Sequence, residues 1–176
     1  MPQYLGLVPI GNQIGGTIAT RNASNTPTDP TSAPTFRVYG PGSVSVMLNG
    51  TGSLTKKDTG SVSNATGNAV SPIQITSNGH GLTTGSYVTV GGVGGNTAAN
   101  VTGTITAVDA NNFTEDGTTG NGAYTSGGTW NVTGLWNFSF TPTLANGFVQ
   151  GTTYTAYIQW TISGTTYSDT FTFTVV

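Results

Sequence analysis

Apolar and polar residues alternate with period two along much of the chain, and the alternation is cleanest near its C-terminus. In TYTAYIQWTISG, Tyr154, Ala156, Ile158, Trp160 and Ile162 fall on one face, and Thr155, Tyr157, Gln159, Thr161 and Ser163 on the other. That is the pattern of a strand buried on one side. After Ser163-Gly164 it resumes in TTYSDTFTFTVV, where Tyr167, Phe171, Phe173 and Val175 share a face with Asp169. The tetrapeptide GTTY opens both stretches, at 151 and at 164, so the two read as neighbouring strands of a hairpin. Upstream, LWNFSF turns Trp136, Phe138 and Phe140 inward, and PTFRVYG separates Phe36 and Val38 from Arg37 and Tyr39. No window sustains an apolar period of 3.6, because glycine or β-branched residues interrupt every candidate helix.

Punctuation divides the chain into three parts. Residues 1–34 carry Pro27, Pro30 and Pro34 and few apolar positions, and are expected to form an extended N-terminal arm, with 15–22 as a possible first edge strand. From 71 to 130 basic residues are absent and glycines come in pairs. Short strands are expected there at IQITS, YVTVG, TGTITAVD, NFTED and AYTSGGTW, with Asp109–Asn112 as a hairpin turn. Neither flank alone has enough strands for a sandwich, but 35–70 together with 131–176 supplies the six or seven that one needs. The expectation is an all-β chain in which a β-sandwich is interrupted by a small β-barrel at 71–130, inserted where loops tolerate insertion.

Composition removes several functions. Charged residues make up only 6% of the 176 positions, and the four basic ones are Arg21, Arg37, Lys56 and Lys57. There is no basic patch to neutralise phosphates, so no nucleic-acid partner is expected. No stretch approaches the length of a membrane span, so no membrane partner is expected. There is no cysteine, which excludes disulfides, thiolate nucleophiles and cysteine-bound zinc. The opening MPQYLGLVPIGNQIGG lacks the basic and apolar runs of a signal peptide. The sequons at Asn22, Asn64 and Asn137 match what chance supplies in an Asn- and Thr-rich chain.

Candidate chemistry is sparse. His80, the single histidine, stands between Gly79 and Gly81 and reads as a structural residue of a tight turn, since one histidine makes no catalytic constellation. Glu115 and Asp116 are adjacent and point to opposite faces of a strand, which does not suit a glycosidase pair. GGVGGN lacks the Lys-Ser/Thr and helix of a phosphate loop, and no calcium loop occurs. No catalytic residue, no metal site and no cofactor is expected. Of the aromatics, Trp136 and Trp160 belong to apolar rows and are expected in the core, whereas Tyr157 is out of phase and is the candidate exposed aromatic.

The ordered features His80-Gly81-Leu82, Gly85 with Val88, GVGGN, Asn100, VDANNF and SGGTW cover about 60 residues. This segment resembles the small β-barrel first described in the first catalytic-cysteine half-domain of ubiquitin-activating enzymes, a barrel that recurs in bacteriophage virion and tail proteins. The adenylation domain, nucleotide loop and cysteine of those enzymes have no counterpart here, so their chemistry does not carry over. The flanking PTFRVYG, GSLTKKDTG, GLWNFSF and GFVQGTTYTAYIQWTISG resemble immunoglobulin-like modules of phage structural proteins.

The resemblance implies a non-enzymatic structural protein of a tailed bacteriophage, made in the host cytoplasm and carried on the virion surface as an accessory or decoration protein. It would be present in many copies, with other capsid or tail proteins as partners. Leu5, Leu7, Val8 and Ile10 are the expected attachment residues of the arm, through apolar burial on a neighbour. The alternative is a tail or fibre component that binds a host receptor or surface carbohydrate. A bacterial adhesin and a hydrolase acting through His80 are further alternatives.

Overall fold

The computed structural model describes residues 3–43, 46–49 and 54–176, with backbone alone for 43 and 46–49. Gly52 and Ser53 of the GSLTKKDTG stretch lie outside the described residues. The strands in chain order are β1 (Gln3–Val8), β2 (Ile14–Ala19), β3 (Thr35–Tyr39), β4 (Val46–Asn49), β5 (Thr55–Lys56), β6 (Thr59–Ser61), β7 (Asn64–Ala65), β8 (Ile73–Thr76), β9 (Tyr87–Gly91), β10 (Thr102–Ala107), β11 (Asn112–Glu115), β12 (Thr129–Val132), β13 (Leu135–Phe140), β14 (Thr153–Ile162) and β15 (Thr165–Val175). Only three single-turn 3-10 helices interrupt them among the described residues. The fold is all-β, and the chain divides into two compact units, 1–55 with 134–176 and 56–133.

The first unit is a sandwich of a five-stranded sheet, β1-β15-β14-β3-β4, and a three-stranded one, β2-β13-β5. The alternating rows meet between the sheets. Ile14 and Ile18 from β2 and Trp136, Phe138 and Phe140 from β13 share a buried cluster with Phe36, Tyr154, Ile158, Phe171 and Phe173 of the larger sheet. Phe138 stacks on Phe171 at 5.1 Å, and Phe140 lies 4.8 Å from Phe36 and 5.3 Å from Phe173, so the sheets are joined ring to ring. The strand order is that of an immunoglobulin-like sandwich, and a local feature agrees with it. Tyr154 opens β14 at the corner after β13, and its hydroxyl accepts a hydrogen bond from the Val149 N–H at 2.8 Å. A tyrosine tied to backbone a few residues upstream at this corner is a hallmark of such sandwiches.

The expected N-terminal arm is part of this sandwich. β1 pairs in parallel with β15, and β2 pairs along its whole length with β13, from Ile14↔Phe140 to Ala19↔Leu135. Leu5, Val8 and Ile10 are half-buried against the unit's own aromatic core, and Leu7 alone of the four stands exposed, at 67%. The proline-rich stretch that follows is tied down as well. The Asn22 carboxamide accepts from the Ser24 and Thr26 N–H groups, and the Thr31 N–H donates to the Thr161 carbonyl. Burial of Ile14 and Ile18 and a complete ladder outweigh the weak local strand signal of GGTIA.

The second unit is a curled seven-stranded sheet, β6-β12-β9-β10-β11-β8-β7. Its two edge strands, β6 and β7, are halves of one bent segment, so the sheet comes round on itself. The first half pairs with β12 and the second with β8. This moves the expected boundary of the barrel from 71 back to 56, and the boundary at 130 on to 133. Segment 56–70 is polar and short-stranded, and it joins the barrel because its backbone completes two ladders there. Of AYTSGGTW only Thr129 and Trp130 lie in a strand, while Ser126 makes an isolated bridge to Gly94.

Candidate functional site

The barrel contains the one turn that gathers a histidine, hydroxyls and a tryptophan beside a groove. It arises where the ring of strands stops pairing. The Asp58 carbonyl accepts from the Val132 N–H at 3.1 Å and the Val62 N–H donates to Gly128, so these residues turn their backbone toward β12. The Ser63 N–H donates the other way, to the Thr76 carbonyl of β8, at 2.8 Å. By antiparallel alternation Thr59 and Ser61 face the same way as Ser63, toward the path that a longer β8 would follow. The chain leaves that path after Thr76, through Gly79 and Gly81, both at φ +62°. The gap is a groove of about 600 Å³ whose lining includes Thr59, Ser61, Ser77, Asn78, His80 and Trp130. On the other side of β6, Lys56, Gly60, Thr129 and Asn131 border a second depression of about 620 Å³, where Lys56 Nζ donates to Asn131 Oδ1 at 2.7 Å.

Trp130 forms the floor of both, yet it is 3% exposed. Gly60 lies flat on its indole, where a Cβ would come within 2.6 Å of Nε1, and Nε1 donates to Ser77 Oγ at 2.7 Å. The ring is therefore roofed by backbone and presents no face for stacking on a sugar. What the grooves offer instead is a rim of hydroxyl, amide and strand-edge backbone groups.

His80 is buried, and both its ring nitrogens are occupied by backbone. Nδ1 accepts from the Leu82 N–H at 2.9 Å, which places the proton on Nε2, and Nε2 donates to the Asp109 carbonyl at 2.9 Å, with the Asn112 carbonyl at 3.2 Å. The ring also meets Phe113 edge-on at 5.4 Å. The imidazole thus clamps the 77–82 turn to the Asp109–Asn112 hairpin and has no lone pair left for a metal or a substrate proton. Asp109 serves the same hairpin. Its carboxylate accepts from the Asn112 amide and the Asn111 N–H, and these bonds hold its carboxyl below the usual carboxylate range.

The other candidates lie apart from this groove. Tyr157 is half-buried in the middle of β14, on the outer face of the large sheet, between Arg37 and Thr170. Trp160 is partly buried against the core and stacks on its cross-strand partner Tyr167 at 6.2 Å and 13°. Asp169 is exposed rather than inward, because the start of β15 carries little core beneath it. Glu115 and Asp116 do take opposite sides, buried and exposed. Among the described residues no three His, Asp or Glu side chains come together as metal ligands.

Sequence reasoning missed the strand-edge groove and the isolation of Glu115 in the barrel. The groove depends on which two strands fail to meet, which no local pattern reports. The inward position of Glu115 was legible in the alternation of NFTE, where it shares a face with Phe113. No protein-family model and no curated protein matches the chain.

Proposed function

We propose that this chain is a non-enzymatic structural protein of a tailed bacteriophage particle, held on the virion surface as an accessory or decoration protein. The observation that carries the reading is an uncharged, partly apolar edge on the sandwich. β1 is the outer strand of the large sheet, it has no charged residue, and Tyr4 and Leu7 stand 55% and 67% exposed on it. Such an edge has backbone groups and apolar surface to give to a neighbour, and no charge to oppose close packing of copies. The use of both His80 ring nitrogens by the backbone supports the non-enzymatic part. Attachment then runs through the β1 edge and Leu7 rather than through a free arm.

The alternative of a tail component that binds receptor or carbohydrate draws on the hydroxyl- and amide-rimmed groove beside Thr59–Ser61. Electron cryo-microscopy of the native particle decides between the two. Density for the sandwich and the barrel repeating across the capsid lattice is the expected result. Density confined to the tail selects the alternative. Absence of the chain from the particle overturns both.

A further inference from the structure

Among the described residues Glu115 is the only buried acidic side chain, at 2% exposure. It occupies an inward position on β11, opposite Ile105 on β10 and Ile73 on β8. Neither carboxyl oxygen has a hydrogen-bond partner, and neither has surface that a ligand could touch. Beside it is a hollow of about 90 Å³, walled in part by Val88, Val101 and Ile105. The hollow exists because position 103 is glycine, where a Cβ would meet nothing within 4 Å. β11 ends at Glu115, and the backbone turns away through Gly117 at φ +74°. The turn is pinned at Thr118, whose hydroxyl donates to the Glu115 carbonyl at 2.6 Å and accepts from the Ile73 N–H at 3.0 Å, and at Asp116, whose N–H donates to the Thr104 carbonyl at 3.1 Å and whose Oδ1 accepts from the Thr106 hydroxyl at 3.0 Å.

No compensating charge is near. The sequence has no Lys or Arg after Lys57, and β8, β9 and β10 carry no charged residue at all. The titratable groups on the elements around Glu115 are Asp116, exposed and next along the chain; His80, spent on backbone and packed on Phe113; and the Tyr87 phenol on β9. Only a proton can neutralise this carboxyl where it stands, and burial accordingly pushes it up to about 8.

We propose that Glu115 is a proton-held latch on the barrel: its neutral carboxyl keeps the β10–β11 end closed, and loss of that proton opens it at the Gly103 hollow. In the open form the carboxyl meets water and titrates near its ordinary 4.5, whereas the closed form keeps its proton to about 8. Between these values the closed form binds one proton more than the open one. Closure is therefore strongest below 4.5, weakens as pH rises, and reaches its limit above about 8. Over that window the opening constant rises about tenfold per pH unit.

Native-state hydrogen exchange on the full chain, corrected for intrinsic exchange rates, reads this directly. In the wild type, protection of amides in β10 and β11 is expected to fall about tenfold per pH unit between roughly pH 5 and 8. In Glu115→Gln, whose side chain stays neutral, the same amides are expected to show no such slope. Wild-type protection independent of pH, or an equal slope in the variant, overturns the proposal. Should Glu115→Gln not fold, Glu115→Leu extends the apolar row into the hollow and is expected to be equally flat; a retained slope there overturns the latch. Carbon-13 titration of the Glu115 carboxyl is an independent check, and a midpoint in the ordinary carboxylate range overturns the latch by itself.

Discussion

The two units solve the same problem, closing β-sheets over a core, with different materials. The sandwich uses aromatic mass: Phe36, Phe138, Phe140, Phe148, Tyr154, Phe171 and Phe173 form a connected set of rings between two sheets. The barrel is filled differently. Its inward rows are Ile73, Ile75, Val88, Val90, Ile105 and Val132, with Phe113 and Trp130 as the large rings, and polar side chains interleaved. Two of those polar groups, His80 and Asn96, lock backbone to backbone: Asn96 donates to the Thr66 carbonyl and accepts from the Asn121 N–H, and at the surface Asn100 makes a reciprocal pair with Val93. The sandwich is specified by which large side chains meet, whereas the barrel is specified by where backbones touch and which amides lock the contacts. Removing a side chain should therefore hurt the sandwich most, and adding one should hurt the barrel most.

The largest effect is expected from Phe173→Ala. Phe173 is fully buried and touches Phe140, Phe148 and Tyr154. Truncation removes transfer energy and leaves a cavity that rigid β-neighbours cannot fill, at a cost of about 3–5 kcal/mol in denaturant unfolding. A loss below about 1 kcal/mol would mean that the ring cluster relaxes like a loose core, and the contrast between the units would fail.

The converse test adds a single methyl to the barrel. Gly95 sits at φ +79°, and a Cβ there would lie 2.0 Å from the Ala123 carbonyl oxygen, 2.8 Å from Thr125 Cγ2 and 3.0 Å from the Thr125 N. The severest clash is with backbone, so rotation of the Thr125 side chain cannot relieve it. Gly95→Ala is expected to cost about 1–3 kcal/mol from overpacking and left-handed strain together. Hydrogen exchange should show the loosening in peptides around 94–126. An alanine accepted without cost would show that the 120–128 loop adjusts freely and that backbone contact does not set the barrel's shape.

These differences explain what could be read from the chain alone. Period-two alternation exposed the aromatic rows of β13, β14 and β15 because most inward residues are large and most outward ones are Thr, Ser, Asn or Gln. β1 was legible only as an arm and β2 only as a possible edge strand at 15–22, since GGTIA has two glycines and its ladder partner lies about 120 residues away. The barrel's interior strands were visible, but β6 and β7 were not: TGSVSNA is polar and small, and its strand character comes from closing a ring whose other members are far along the chain. His80 between glycines was legible as a turn residue. Its partners, the carbonyls of Asp109 and Asn112, were not, because a carbonyl leaves no mark in a sequence.

The smallest effect is expected where a barrel-like device sits inside the sandwich. The Tyr154 hydroxyl is the acceptor for the Val149 N–H at the corner before β14, so here a side chain locks backbone within the aromatic core. Tyr154→Phe keeps the ring, its 4.7 Å contact with Phe148 and its 5.7 Å stack on Phe173, and removes only that acceptor. Because Val149 is 58% exposed, water can take over its N–H, and the cost is expected near the low end of a single hydrogen bond, about 0.5–1 kcal/mol. Exchange of the Val149 amide should speed up in the variant while the Phe173 amide, within the ladder to β14, stays protected. Faster exchange at both positions would mean that the corner bond holds the packing of the core, and that the sandwich relies on a backbone lock as much as the barrel does.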